Sequence, residues 1–105
     1  MSVQDGAFIM VQLSWEPTGV IRRFSGLVSA DELDTSAKRL QGDVRTDDLH
    51  YIIHDFTDCT DITVTDNDIE FMAVRASCAL QRNMKVKIAF VGTHPVVHKL
   101  MEAFN

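Results

Sequence analysis

Strand-like and helix-like patterns alternate along this 105-residue chain, and no other feature limits its possible folds as strongly. Apolar residues recur with the two-residue period of β-strands in four segments: residues 8–15, 20–25, 49–56 and 85–91. They recur with the spacing of one helix face in three others: residues 30–44, 69–80 and 97–104. The predicted order of elements is therefore β-β-α-β-α-β-α.

Turn and cap residues mark the boundaries of these elements. Pro17 and Gly19 separate the first two strands, and because proline presets φ for a turn, these strands are predicted to form an antiparallel hairpin. Ser29 and Glu32 have the spacing of a capping box at the start of the first helix. Pro95 suits the first turn of the last helix. The sequence thus predicts where at least two of the three helices begin.

The alternation of strands and helices also predicts how the sheet is connected. Strand–helix–strand units imply parallel pairing with right-handed crossovers. The last strand has apolar residues on one side and Lys85 and Lys87 on the other, which indicates one covered and one solvated face. We expect an α/β fold, a (βα) superhelix in which an N-terminal β-hairpin leads into β-α-β-α-β-α. Its four-stranded sheet should be mostly parallel, with the helices mainly on one face.

Length and charge exclude several classes of protein. Residues 1–105 are too few for two cores, so we predict a single domain. The formal net charge of −5 provides no field that would attract nucleic acid. No apolar run reaches the roughly 18 residues of a membrane span, and the first residues lack a secretion signal, so a cytoplasmic location without membrane insertion is predicted. Cys59 and Cys78 are expected to be reduced thiols, the first in a loop and the second packed in a helix.

Acids and hydroxyls are concentrated in residues 52–68, between the third strand and the second helix. The acids of this segment are spaced three residues apart. This spacing does not match an EF-hand loop, which has acids at alternate positions around a glycine. A capped helix start explains part of the pattern, because a threonine N-cap and acids in the first turn are both stabilising. The remaining groups are predicted to present a surface to a ligand or partner. The candidate binding residues are Asp55, Thr57, Asp58, Thr63, Thr65 and Asp66.

The four histidines form two pairs with a spacing of four residues. On the third strand, His50 and His54 share a side with Ile52, and if this is the open face they would join lysines of the last strand in a positive stripe. His94 precedes Pro95 and is predicted to cap the last helix, so its spacing to His98 does not predict a metal site. No catalytic residue, metal ligand or cofactor is predicted.

Residues 20–26, Val-Ile-Arg-Arg-Phe-Ser-Gly, followed by 29–33, Ser-Ala-Asp-Glu-Leu, and 51–57, Tyr-Ile-Ile-His-Asp-Phe-Thr, resemble the SpoIIAA-like group. This group shares the STAS fold of anti-sigma-factor antagonists. The resemblance implies a non-enzymatic module that binds a protein or a small ligand near the loop between strand three and helix two. Family members carry a phosphorylated serine there, whereas this chain has Thr-Asp-Asn-Asp at residues 65–68.

Two functions follow as hypotheses. The first is a cytoplasmic regulatory or binding module that acts through residues 55–66. The second is a small-ligand or lipid carrier of the same fold type, with an apolar pocket shaped by Phe71, Met72, Met101 and Phe104. A homodimer through a bare sheet face or through an edge is also predicted, because a bare face carrying Ile52 and Phe56 would favour self-association.

Overall fold

The computed structural model of the protein describes residues 11–104. Four strands and three helices follow one another in the predicted order, with a short 3-10 helix at Val44–Asp48. The strands are β1 (Val11–Trp15), β2 (Gly19–Ser29), β3 (Tyr51–Thr63) and β4 (Lys87–Val91). The helices are α1 (Ala30–Gln41), α2 (Asp66–Leu80) and α3 (Pro95–Ala103). Residues 8–10 of the first predicted strand lie outside the described residues.

The strands form one sheet in the order β1-β2-β3-β4. β1 and β2 are antiparallel and are joined by the predicted turn, in which Glu16 and Gly19 exchange backbone hydrogen bonds of 2.8 and 3.4 Å. β2 pairs with β3, and β3 with β4, in parallel. The sheet is therefore mixed, and the prediction of a mostly parallel sheet was wrong, because a short turn can connect only antiparallel neighbours.

All three helices pack on the same face of the sheet. One apolar cluster joins Phe24, Val28 and Phe56 of the sheet to residues of every helix. The helical members of this cluster are Leu33, Ile69, Val97 and Leu100. A second cluster lies towards the opposite end of the strands and contains Val20, Leu40, Leu49 and Ile52. The core thus consists of two apolar regions under one helical layer.

The three predicted caps, Ser29, Thr65 and His94, are present at helix starts. The Ser29 hydroxyl accepts from the Glu32 backbone N–H at 3.3 Å, and Glu32 accepts from the Ser29 N–H at 3.2 Å. His94 caps α3 through Nδ1, which accepts from the Val96 N–H at 3.1 Å, with Pro95 in the first turn. These contacts satisfy N–H groups that a helix leaves unpaired at its first turn.

β3 extends seven residues beyond the predicted end of the third strand, Phe56. Its pairing with β2 shifts register between Arg23 and Ser25, and again between Gly26 and Leu27. Each shift is a β-bulge that accommodates one additional residue of β3. The bulges keep the polar second half of β3 paired with β2, so most of the predicted loop is strand.

The covered face of the sheet is not the one that the histidine and dimer predictions assumed. Ile52, His54 and Phe56 are 3–6% exposed and face the helices. The positive stripe therefore does not form, since Lys87 lies on the other, exposed side of its strand. The cysteine prediction also needs correction: Cys78 is exposed, and Cys59 is half-buried within β3.

Candidate functional site

The structure distributes the predicted binding residues along β3 and the start of α2. Asp55, Thr57, Asp58 and Thr63 belong to the strand, Thr65 is the N-cap of α2, and Asp66 is its first residue. Five of the six are exposed and Asp55 is half-buried. They follow one another along the chain from β3 into the start of α2.

Most of these side chains have local hydrogen-bond partners. Asp55 Oδ1 accepts from the Thr57 N–H at 2.9 Å and from the Thr57 hydroxyl at 2.5 Å, and these bonds lower the pKa of Asp55. Thr65 and Asp68 form a capping box. Asp66 Oδ1 pairs with Lys99 Nζ of α3 at 3.1 Å. Within residues 11–104, no group of three or more His, Cys, Asp or Glu residues could hold a metal ion.

A different polar group lies inside the fold, between the two apolar clusters. Along β2 the residues facing the helices are Val20, Arg22 and Phe24, and along β3 they are Ile52, His54 and Phe56. Arg22 and His54 are direct partners in the register of the two strands. Their exposed fractions are only 7% and 6%. A buried arginine and histidine therefore form a polar layer across the core.

The first helix supplies most of the hydrogen bonds of Arg22. The Nε of Arg22 donates to the Ser36 hydroxyl at 3.1 Å. The Nη2 of Arg22 donates to the same oxygen and to the Leu33 carbonyl, both at 2.5 Å. Its Nη1 donates to Nδ1 of His54 at 3.4 Å. Ser36, itself 4% exposed, is thus the contact that allows an arginine to remain under α1.

The charge of Arg22 has no negative partner in the part of the chain that is described. None of the ion pairs between these residues includes Arg22. Burial lowers the pKa of Arg22 to about 9, so the guanidinium is still charged at neutral pH. Burial, and then the neighbouring charge of Arg22, lower the pKa of His54 well below its ordinary value. The pair consequently carries one positive charge and a neutral imidazole.

A cavity of about 90 Å³ lies directly above this pair, between the sheet and the helices. Arg22 and His54 contribute its polar floor, and the walls are largely apolar. The apolar lining from the helices includes Leu33, Ala37, Met72, Ala76 and Leu100. In this cavity, an apolar lining surrounds the charge of Arg22, which has no negative partner among the described residues.

Polar contacts between α1 and α2 border the cavity. Arg75 of α2 pairs with Asp34 of α1, and Arg82, just beyond α2, donates to the Gln41 carbonyl at 2.6 Å. All four residues line the cavity and keep some exposure. The helices are therefore linked across the opening by hydrogen bonds and an ion pair, which can exchange with water more readily than packed apolar side chains.

The apolar residues predicted to shape a pocket divide into two groups. Met72 and Phe104 line the cavity. Phe71 and Met101 do not line it, and they are 63% and 38% exposed.

Sequence reasoning did not identify Arg22 as a site residue. The available signal was a charged residue at the apolar phase of β2, beside a histidine at the same phase of β3.

No family model, curated protein or solved structure was found to match this chain. Its resemblance to the SpoIIAA-like group accordingly stays a prediction. Among residues 11–104, no helix combines the length and apolar character needed to cross a membrane.

Proposed function

We propose that this protein is a non-catalytic binding module that holds a small, partly apolar ligand between its sheet and its helices. The observation that carries this proposal is the cavity of about 90 Å³ whose floor contains the buried Arg22. A concave apolar site with a few convergent polar groups is the usual form of a small-ligand site. This proposal corresponds to the small-ligand carrier that was the second hypothesis from the sequence, but the residues that line the site are different.

The state of the two floor residues favours binding over catalysis. His54 accepts a hydrogen bond from Arg22, and its lowered pKa makes it a weak base at neutral pH. Arg22 stays protonated and can orient an anionic group without transferring a proton.

The volume of the cavity limits the ligand to a short molecule. An engineered apolar cavity of about 150 Å³ holds benzene, which has six non-hydrogen atoms. At about 90 Å³ this cavity is smaller than that one, so a benzene-sized group is the upper limit of what it encloses, and any longer part of a ligand would extend between α1 and α2. A long acyl chain does not fit inside, so the proposal concerns small ligands rather than membrane lipids.

A regulatory role through residues 55–66 is a second proposal, supported by the exposure of this segment. Thr57, Asp58 and Thr60 are exposed where the two bulges distort β3. Bulges commonly redirect side chains at functional edges. A protein partner would contact this polar strand surface, which lies outside the cavity.

Native mass spectrometry of the protein isolated from its own cells tests the ligand proposal. We expect a small molecule that is retained under native conditions and released on denaturation. The Ala76→Leu variant adds volume to the α2 wall of the cavity and should lose this mass. Ser77→Leu adds a bulkier side chain at the next, exposed position and should retain it.

Two results would contradict the ligand proposal. One is the absence of any retained molecule from all preparations, and the other is equal retention by wild type and Ala76→Leu. A co-purifying protein, lost when Asp58 and Thr60 are replaced by alanine, would favour the regulatory role instead.

A further inference from the structure

We infer that the ligand of the cavity is a short carboxylate of about four carbons in total, bound through Arg22. This inference rests on the proposed function, since it names the chemical class of the molecule held in the same cavity. It is drawn from the charge, the free hydrogen-bond donors and the size of the site.

Arg22 places a positive charge in the floor of the cavity. Moving a charged guanidinium out of water is costly unless an anion compensates for it. Arg22 is 7% exposed, and no carboxylate of residues 11–104 forms an ion pair with it. Asp34, an acid that also lines the cavity, is bound to Arg75 and Lys38. A bound anion would supply the missing negative charge.

Arg22 has more hydrogen-bond donors than hydrogen bonds to the described residues. A guanidinium has five N–H groups, one on Nε and two on each terminal nitrogen. In Arg22, the Nε group and both Nη2 groups contact Ser36 and Leu33, and one Nη1 group contacts His54. One N–H of Nη1 therefore has no partner among the described residues.

His54 provides a second donor at the same floor. Because its Nδ1 accepts from Arg22, the proton of the neutral ring resides on Nε2. Nε2 has no hydrogen-bond partner in residues 11–104, yet no fully buried side-chain nitrogen there is left unpaired. His54 itself lines the cavity. Two N–H groups are available for the two oxygens of one carboxylate.

The charge and the volume of the cavity limit the charge and the size of its ligand. One positive charge matches a monoanion better than a phosphate dianion. A carboxylate with a three-carbon chain has six non-hydrogen atoms, which is the upper limit set by comparison with the cavity that holds benzene. A longer chain would follow the apolar wall formed by Met72 and Ala76 towards the opening.

Two-dimensional NMR titrations of the full chain with butanoate and with butan-1-ol test the inference directly. Each probe contains four carbons in total, and the two probes differ in charge. In wild type at pH 7 we expect butanoate to bind at least about tenfold more tightly than butan-1-ol, because a charge-assisted hydrogen bond replaces a neutral one. Backbone signals of Arg22, Ser36 and His54 should shift with the acid.

Matched variants locate the effect at the arginine. Arg22→Met keeps a long apolar side chain and removes the charge, so it should abolish the tenfold preference while butan-1-ol still binds. Arg23→Met changes the next residue, which is exposed on the other side of the strand, and should keep the preference. If Arg22→Met does not fold, the wild-type comparison of acid and alcohol still decides the matter.

The outcomes separate this inference from the proposed function. Equal affinity for acid and alcohol in wild type, or a preference that persists in Arg22→Met, would overturn the inference and leave a small-ligand site. Shifts confined to exposed lysines would equally overturn it. Failure of both probes to bind wild type would contradict the cavity as a ligand site, and the inference would fail with it.

Discussion

At the scale of single residues, the burial of His54 predicts how stability depends on pH. The unfolded chain protonates this histidine near its ordinary pKa of 6.5, whereas the folded protein resists protonation until a lower pH, mainly because the ring is buried. Between these two values the unfolded state binds more protons. The free energy of unfolding should therefore decrease as the pH falls below about 6.5, by up to about 1.4 kcal/mol per pH unit.

Urea unfolding between pH 7 and pH 5 measures this effect. His54→Gln retains an acceptor for Arg22 but cannot titrate, so its stability should vary less over the interval. His98→Gln removes an exposed histidine that pairs with Glu102, and it should behave like wild type. Carboxylates such as Asp55 and Asp61, whose pKa values are lowered by hydrogen bonds from Thr57 and His94 respectively, contribute below about pH 4. Identical slopes for wild type and His54→Gln would contradict the burial of this ring.

Arg22 and His54 also show what a single sequence could not provide at this scale. The sequence showed which residues share their side of the sheet, because Arg22 is two residues from Val20 and His54 is two residues from Ile52. The sequence did not reveal which face the helices cover, and charged residues usually indicate the solvated side. Only the position of Ser36 and the Leu33 carbonyl explains why an arginine occupies the covered face.

At the scale of elements, the capping box of α1 makes a quantitative prediction. Ser29→Ala removes the hydroxyl that accepts from the Glu32 N–H, and it should lower the free energy of unfolding by about 1 kcal/mol. Ser77→Ala, at an exposed position within α2, should change it by less than about 0.5 kcal/mol. Chemical denaturation of both variants provides the comparison. Equal midpoints for Ser29→Ala and wild type would mean that the box does not stabilise the helix.

Helix starts were predictable because caps are local, whereas the length of β3 was not. Ser29, Thr65 and His94 each satisfy an N–H group within a few residues of the chain. The second half of β3, residues 57–63, is polar and looks like a loop in isolation. It is a strand because β2 continues beside it and two bulges adjust the register. Such pairing depends on residues far away in the chain.

At the scale of the whole molecule, the order of strands and helices followed from periodicity alone. The mixed sheet follows from the same hairpin that the sequence indicated at Pro17 and Gly19. The cavity could not be predicted, because its volume depends on how closely three helices approach the sheet. None of the binding residues predicted from the sequence lines the cavity, which lies beneath the helices.

The homodimer stays a prediction, and of the two faces of the sheet the open one is the face that the described helices leave uncovered. Ile21, Ile53 and Ala89 are register partners and form an apolar row across that face. The next row on the same face places Arg23 beside Asp55. Under twofold symmetry, Arg23 of one copy could face Asp55 of the other, so the two rows are self-complementary. We therefore expect a dimer in which these apolar rows pack together.

Light scattering over a range of protein concentrations tests this dimer. Wild type should approach twice the monomer mass as concentration rises. Ala89→Lys places a charge in the apolar row at an exposed position, and it should shift the protein to monomer because a charge buried without a partner is unfavourable. Val74→Lys makes the same change on the exposed surface of α2, and it should leave the dimer intact. A wild-type mass that remains monomeric at high concentration would contradict the dimer, and an Ala89→Lys protein that still dimerises would place its interface elsewhere.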